Sequence, residues 1–403
     1  MRIAYLSVSD QLGGSEIALL EMIAGVRRLR PAWRLHLILP GRGPLLDRAE
    51  AAGADCTVLP LPASLARLGE SAAEDARWSV LTRAMLAARL AAVAFSMPSY
   101  MRGLRRVLRG IDPAVLHTNG LKAHVVGSRA GGRCRVVWHI HDYVGSRRVT
   151  RTLLRSHQSR AAAILANSKS VAADVTTAIA PSAPVTVVYN AVDLKTFVPE
   201  GPAQDLDAAA GWAPTTSPVV RVGLVATFAR WKGHEVFLRA LSQLPATLPM
   251  RAYVIGGPLY DTSGSQYSMD ELKALARHAG VHDRVAFTGF LRPAPAMRAL
   301  DVVVHASTRP EPFGLAIAEA MACGRAVITS ASGGSAELVE ADVDALTHVP
   351  GDADALAAAI GRLVADATLR HRLGAAARIS ACRRFDPDRL ACEVVDVYEQ
   401  VAH

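Results

Sequence analysis

Cysteine is scarce in this 403-residue chain, and aromatic side chains make up only 5% of it. The five cysteines, Cys56, Cys134, Cys323, Cys382 and Cys392, are odd in number, scattered and never spaced as CxxC. That excludes a disulfide framework and a zinc-ribbon site, and it fits a reducing compartment. Neither zinc-finger spacing nor an RNP-like aromatic strand is present, which argues against nucleic acid as a partner. Long apolar runs are missing too. The most apolar stretch, "LTRAMLAARLAAVAFSMPSYMRGLRR", is interrupted by Arg83, Arg89 and Pro98 and is too short to span a bilayer. The opening "MRIAYLSVSDQLGG" reads as a strand and a turn rather than a signal peptide, so a cytoplasmic location is expected. Acidic residues are the minority charge: 36 against 45 Lys and Arg, a net +9. That excess suits an anionic substrate or an anionic membrane surface. The basic helix at 81–109 makes peripheral attachment to the inner face of a membrane a part of the expectation.

What is present is a long, 51% hydrophobic chain, enough for two cores. Short β-branched runs alternate with helical stretches throughout. Strands are predicted at 2–8, 34–40, 56–61, 114–119, 135–141, 162–168 and 185–190. The second half gives 219–227, 251–257, 284–290, 302–308 and 325–330, with a weaker run at 345–350. Most are apolar without alternation, as strands covered on both faces of a parallel sheet must be. Helices between them imply βαβ units. The pattern runs twice, either side of a stretch rich in Pro, Gly, Asp and Thr. The expected architecture is therefore α/β with two Rossmann-like, doubly wound domains facing a deep cleft. Residues 1–193 form the first domain, 194–218 a linker with one short helix, and 219–385 the second domain. Residues 386–403 form the last helix.

Ligands of such sheets collect at the carboxyl ends of strands. After the first strand, Gly13 and Gly14 permit a tight turn, Ser15 can cap the next helix, and bare amides there suit a phosphate or a sugar hydroxyl. After the fifth strand stand His141 and Asp142. The carboxylate is a candidate to orient the ring, and His141 a candidate substrate contact, whereas His139 reads as a core histidine with satisfied nitrogens. After the first strand of the second half, Arg230 and Lys232 precede Gly233. Two cations at a strand end suit a diphosphate, although GxxxxGK[ST] is absent.

The richest stretch is "EPFGLAIAEAMACGRAVITS" at 311–330. Gly324 closes a short Ala-rich helix over 315–322. Glu311 precedes that helix and Glu319 lies over a turn inside it. Phe313, Gly314 and Leu315 offer backbone amides between the two acids. An anion at the amides, flanked by hydroxyl-bearing groups at the acids, has the layout of a nucleotide diphosphate-sugar. A capping acid plus a solvated acid is the plain alternative.

The passage "EPFGLAIAEAMACGRAVITSASGGSAELV" resembles the donor-binding segment of retaining glycosyltransferases of family 4, which have the GT-B fold. "GGSE" (13–16), "HD" (141–142), "ANSKSVAADV" (166–175), "VVYNAVDLKTF" (187–197), "RWKGHEVFLRAL" and "VAFTGFL" are similar to their other signatures, in order. The resemblance implies that Glu311 holds donor-sugar hydroxyls and Glu319 the ribose. Phe313 to Leu315, with Arg230 and Lys232, would bind the diphosphate, and the Gly333–Gly334 turn would lie close by. The backbone around Thr288, Gly289 and Leu291 would meet the base, His141 the reacting sugar, and Gly14 the acceptor. The last helix would cross back to the first domain. Many members carry an arginine five residues before the loop lysine; here that position is Thr227, with Arg230 as its replacement. Residues 63–112, which match no signature, are assigned to the acceptor side.

The implied reaction moves a sugar from a nucleotide diphosphate-sugar, UDP favoured and GDP as the variant, to an acceptor hydroxyl with retention. The acceptor classes are a lipid-linked saccharide, a polyol or a secondary metabolite. Neither a metal nor a further cofactor is expected. Two other readings remain open: a nucleotide-sugar epimerase on the same architecture, and a catalytically weak nucleotide-sugar-binding protein.

Overall fold

The computed structural model describes residues 1–66, 80–259 and 264–402. Side chains of residues 64, 66 and 80–94 lie outside the description, and with them Arg83 and Arg89 of the apolar stretch. The chain divides into two compact units, Met1–Ala191 with Pro387–His403, and Val192–Asp386.

The first unit runs β1 (Arg2–Ser7), α1 (Gly14–Leu29), β2 (Arg34–Leu39), α2 (Pro44–Ala51), β3 (Asp55–Val58), α3 (Ala63–Ala66) and α4 (Val80–Ile111). It continues with β4 (Val115–Asn119), α5 (Leu121–Ala130), β5 (Arg135–Ile140), α6 (Arg148–His157), β6 (Ala161–Ala166), α7 (Lys169–Ile179) and β7 (Val185–Val187). Its seven strands lie in the order β3-β2-β1-β4-β5-β6-β7, all parallel.

The second unit runs α8 (Leu206–Ala209), β8 (Val220–Val225), α9 (His234–Ser242), β9 (Met250–Ile255), α10 (Met269–His278), β10 (Val285–Gly289), α11 (Pro293–Arg298) and β11 (Val302–His305). Then follow α12 (Leu315–Ala322), β12 (Ala326–Thr329), β13 (Leu346–Thr347), α13 (Ala353–Ala365) and α14 (Ala367–Arg384). Its six parallel strands are ordered β10-β9-β8-β11-β12-β13. The last helix, α15 (Pro387–Ala402), packs on α1 of the first unit.

Every run predicted as a strand forms one, because helices cover both faces of each sheet and leave no polar side to alternate with. Leu6, Leu37, Leu116 and Val137 are fully buried in the first sheet, as are Val222, Leu224, Val254 and Ile328 in the second. Burying one such side chain contributes roughly 1.5–3 kcal/mol.

Residues 194–218, expected as a linker, fall inside the second unit and pack on its sheet. Asp205 caps α8 by accepting from the Ala208 amide. Asp207, 3% exposed, accepts from the Tyr253 hydroxyl at 2.6 Å and pairs with Arg251 at 2.6 Å and Arg221 at 3.3 Å. Burial alone would raise its pKa, but the tyrosine and the two arginines together lower it. The polar composition that reads as a linker is therefore a buried ion pair with its partners on β8 and β9.

Candidate functional site

In each sheet the strand order reverses once, between β1 and β4 in the first unit and between β8 and β11 in the second. Loops leaving neighbouring strands diverge at such a point, and the opening lies beyond the strands' carboxyl ends. Gly14, His141, Arg230, Lys232 and the segment from Glu311 lie on loops at or next to these two places, whereas Thr288, Gly289 and Leu291 lie at or just past the end of β10, two strands from the second reversal.

In the second unit, β8 leads to a single 3₁₀ turn, Arg230–Lys232, and then to Gly233. Gly233 has φ +78°, and a Cβ there would collide with the Ala306 carbonyl oxygen beyond β11. Only glycine lets the two loops close on each other here. That closure delivers Lys232 to Glu311, Nζ to Oε2 at 2.7 Å. The same oxygen accepts from His305 Nε2 at 3.0 Å and from Ser307 Oγ at 3.0 Å. His305 is held in turn by Thr329 Oγ1, 3.0 Å from Nδ1. The backbone of Glu311 is tied to the glycine turn: its amide donates to Ser332, and its carbonyl accepts from Gly334 at 2.7 Å. Glu311 is 6% exposed. Burial alone would push its carboxyl pKa up; the Lys232 charge and the His305 hydrogen bond outweigh that and hold it well below the usual carboxylate range.

Three residues on, α12 begins. Its N-cap is Gly314, at φ +98°, and no side chain caps it. The first-turn amides therefore face outward from the helix start with its positive dipole end, as an anion site requires. Phe313 is buried against Phe385, ring centroids 5.9 Å apart, and so fixes the approach to Gly314 and Leu315. Glu319 lies within α12 and is 8% exposed. Thr288 and Gly289 end β10; the Thr288 hydroxyl donates to the Gly289 carbonyl at 3.0 Å, and that carbonyl also accepts from the Gly256 amide. Leu291, two residues past β10, is half-buried.

Arg230 takes other partners. Its guanidinium donates to Glu271 at 2.7 Å and to the Gly264 carbonyl at 3.0 Å, and stacks over Tyr267 at 4.2 Å. Glu271 also completes a capping box with Ser268 at the start of α10. The structure thus brings Lys232, Glu311 and the α12 N-terminus together, and ties Arg230 to the α10 side of the loop.

In the first unit, Gly13 is the N-cap of α1, and no side chain caps it. Ser15 does not act as that cap. Its hydroxyl donates to Glu16 at 2.9 Å, and burial raises the Glu16 pKa. Gly14 opens the helix with clear space beside it. The side chain joining this turn to His141 is Asn119, at the end of β4. Asn119 Nδ2 donates to the Ser15 carbonyl at 3.3 Å, and its Oδ1 lies 2.7 Å from His141 Nε2. With the amide in that orientation, Nε2 carries the proton and Nδ1 keeps its lone pair. Asp142, expected to orient the ring, instead pairs with Arg147.

Behind His141 stands a row of buried rings. His139 lies 4.0 Å away, centroid to centroid, and His117 5.2 Å beyond it. His117 Nδ1 meets the Tyr398 hydroxyl of α15 at 2.8 Å. Both nitrogens of His139 are buried without a hydrogen-bond partner, so it is not the satisfied core histidine expected from sequence. Burial pushes the pKa of His141 down to about 4 and that of His117 to about 3, and holds His139 well below its ordinary value. These imidazoles are neutral at physiological pH.

Residues 218–380 match the family Glycosyl transferases group 1, and residues 12–196 match Glycosyltransferase Family 4. The two matches together span most of the chain. This chain belongs to the family 4 glycosyltransferases. It is similar to the D-inositol 3-phosphate glycosyltransferase of Xylanimonas cellulosilytica, 39% identical over 53% of this chain and 51% of that protein. The namesake from Jonesia denitrificans is 32% identical over 60% of this chain and 57% of that protein. The chain thus spans about half the length of these curated relatives. Among solved structures, Anabaena Alr3699/HepE in complex with UDP superposes with a TM-score of 0.79 at 25% identity, covering 99% of this chain and all of that one. Sucrose-phosphate synthase from Thermosynechococcus elongatus shares the fold, with a TM-score of 0.76 at 22% identity, over 99% of this chain and 98% of that one.

Several residues that shape the candidate site of this family 4 chain escaped the sequence reading: His305, Ser307 and Thr329 around Glu311, and Asn119 beside His141. His305 and Asn119 end strands, and the strand-end rule that selected His141 would have selected both. Among the described residues, no group of three His, Cys, Asp or Glu side chains is arranged to hold a metal ion.

Proposed function

We propose that this glycosyltransferase moves a sugar from a nucleotide diphosphate-sugar to an acceptor hydroxyl with retention of anomeric configuration. The observation that carries this reading is the Lys232–Glu311 pair set beside the uncapped start of α12. It combines outward-facing amides at Gly314 with a carboxylate three residues before it, Glu311, and a cation, Lys232, that reaches that carboxylate at 2.7 Å. UDP is the favoured nucleotide, since Anabaena Alr3699/HepE was solved with it. A polyol is the favoured acceptor, by likeness to the curated inositol phosphate glycosyltransferases.

An ammonium has three N–H donors. Glu311 takes one, which leaves others for phosphate oxygens. The α12 amides of Gly314 and Leu315 meet the diphosphate, and Glu311 and Glu319 meet the sugar and ribose hydroxyls. As the bond from the sugar carbon to the phosphate oxygen breaks, negative charge grows on the diphosphate. Lys232 and the amides stabilise that charge more in the transition state than in the ground state. The acceptor oxygen bonds to the same face of the sugar, and its proton passes to the departing phosphate. No resident cofactor or metal is assigned a step. His141, oriented by Asn119, contacts the sugar as a neutral ring, and Gly14 lies on the acceptor side. Arg230 commits its Nε to Gly264 and its Nη2 to Glu271, which turns the guanidinium toward α10, so its share is the smaller one.

The test is a thermal-shift panel of nucleotide diphosphates and nucleotide-sugars, followed by product analysis with polyol acceptors by NMR. UDP-type ligands should raise the melting temperature of the native protein and not of Lys232→Ala. A product whose anomeric centre is inverted refutes retention. Donor isomerised in the absence of acceptor favours the epimerase reading, and tight binding without turnover on any acceptor favours a binding protein.

A further inference from the structure

Charge is unevenly spread along this chain. Residues 76–173 hold seventeen Lys and Arg against two acids, Asp112 and Asp142, a local excess of fifteen in a chain whose net charge is +9. The rest of the chain is therefore acidic on balance. Both acids are already engaged, Asp112 by Arg2 and Asp142 by Arg147. The remaining cations of the stretch have no acid of their own segment to neutralise them.

The fold gathers these cations on one layer. Helices α4, α5, α6 and α7 pack in succession on one face of the first sheet. On α4, Met101, Leu104 and Leu108 are buried. Arg102, Arg106 and Arg109 are exposed, and Phe95, seven residues before Arg102, lies on the same face and is 92% exposed. On α6, Leu154 alone is buried, while Arg148, Arg151 and Arg155 are exposed. Two apolar side chains one turn apart, Val149 and Leu153, stand between them at 48% and 41% exposure. None of these six arginines forms an ion pair among the described residues. Beside α6, a cavity of about 540 Å³ is lined by Arg151, Arg155, Thr152 and Thr177. Asp174, at its edge, spends its carboxylate on the Val144 and Gly145 amides.

We infer that the α4–α6 layer docks the protein on an anionic lipid bilayer. The arginines meet headgroup phosphates, and Phe95, Val149 and Leu153 enter the boundary between headgroups and acyl chains. The apolar side chains choose the occupant. A nucleic acid backbone would use the arginines and leave an exposed phenylalanine and a Val–Leu pair without partners, whereas a membrane interface uses both kinds of side chain. The inference does not depend on which sugar or acceptor the enzyme uses.

The test is co-sedimentation of the full chain with vesicles of phosphatidylcholine, with and without phosphatidylglycerol, at low and high salt. Binding to the anionic vesicles is expected, weakening at high salt, with little binding to the neutral ones. Each exposed arginine strengthens binding to such a surface about fivefold. Reversing four of them (Arg102→Glu, Arg106→Glu, Arg151→Glu, Arg155→Glu) should weaken it more than about a hundredfold. Phe95→Ser should cost roughly tenfold and remain visible at high salt. A control pair in the second unit, Arg239→Glu with Arg277→Glu, charge-matched to Arg151→Glu with Arg155→Glu made alone, should bind as the native protein does. Nucleotide binding, measured in the same samples, should be unchanged in every variant. That shows the variants to be folded and separates this inference from the proposed reaction. Absence of binding to anionic vesicles at low salt, equal binding to neutral vesicles, equal weakening by the control pair, or no loss of binding in Phe95→Ser would overturn the inference.

Discussion

Glu311 and His141 both stand just past the carboxyl end of a strand in a parallel sheet, and burial leaves them in opposite states. Glu311 keeps its charge, because Lys232, His305 and Ser307 all donate to one of its oxygens. His141 gives its charge up, because Asn119 offers a neutral amide and the rings behind it offer nothing charged. A buried charge survives when fixed donors replace the water it loses, and a buried base loses its proton when they do not. One unit is thus built around a charged hub and the other around a neutral row. The variants below are ordered by how hard they press on that difference.

The largest effect is expected from removing the cation. Lys232→Ala should lower kcat with the nucleotide-sugar more than about a hundredfold, corresponding to roughly 3 kcal/mol of transition-state stabilisation. It should also cost about 3 kcal/mol of stability, since it leaves a buried carboxylate short of its partner. The joint variant Lys232→Met, Glu311→Leu should recover much of the stability in thermal unfolding and none of the activity. If it unfolds no later than Lys232→Ala, pairing is not what protects Glu311.

Next comes a change that would make the first unit imitate the second. Asn119→Asp sets a carboxylate against His141 Nε2–H and should raise the pKa of that ring from about 4 toward or beyond its ordinary value. An NMR titration of the imidazole reads this directly. The pH profile of kcat should move with it, whereas Asn119→Ala should lower kcat about tenfold without such a shift. An unmoved titration would show that Asn119 does not set the state of His141.

Acid should then separate the two units. Burial lowers the folded pKa of five histidines in the first unit, His36, His117, His124, His139 and His141, and of two in the second, His234 and His348. The unfolded chain takes up protons first, so their contribution to stability declines as pH falls from about 6.5 toward 4. The Glu311 pKa is depressed, so its contribution is complete above the usual carboxylate range near 4.5 and is lost only below it. Calorimetry between these limits should show the first unit melting ahead of the second. His139→Phe, which removes one of the proton acceptors, should lessen the gap. Coincident transitions at every pH would erase the contrast. The smallest effect is expected at Arg230, already engaged by Glu271: Arg230→Ala should change kcat less than about fivefold.

Much of this was legible in the sequence, for a physical reason. Strands covered on both faces have no solvent side, so their unbroken apolar runs stand out, and each predicted run is a strand. Glu311, Lys232 and Gly314 could be selected because loops at strand ends carry residues that no core requires. What could not be read is pairing over distance. Arg230 is bound by a glutamate on α10, 41 residues away, and no local pattern marks the two as partners. The stretch around Asp207 has a loop's composition, and its burial depends on Arg221, Arg251 and Tyr253, which arrive from β8 and β9. The Ser15 cap failed for a related reason: its hydroxyl turned to Glu16, a local partner that sequence does not rank against the helix amides.

Helix α15 belongs to the first unit although it is made after the whole of the second, and its Tyr398 closes the row of rings through His117. A nascent chain that has emerged as far as Ala191 therefore has all seven strands of its first sheet, yet the groove on α1 still lacks its cover. That surface must wait, greasy and open, while nearly two hundred further residues leave the ribosome. The first unit is begun before the second and completed after it.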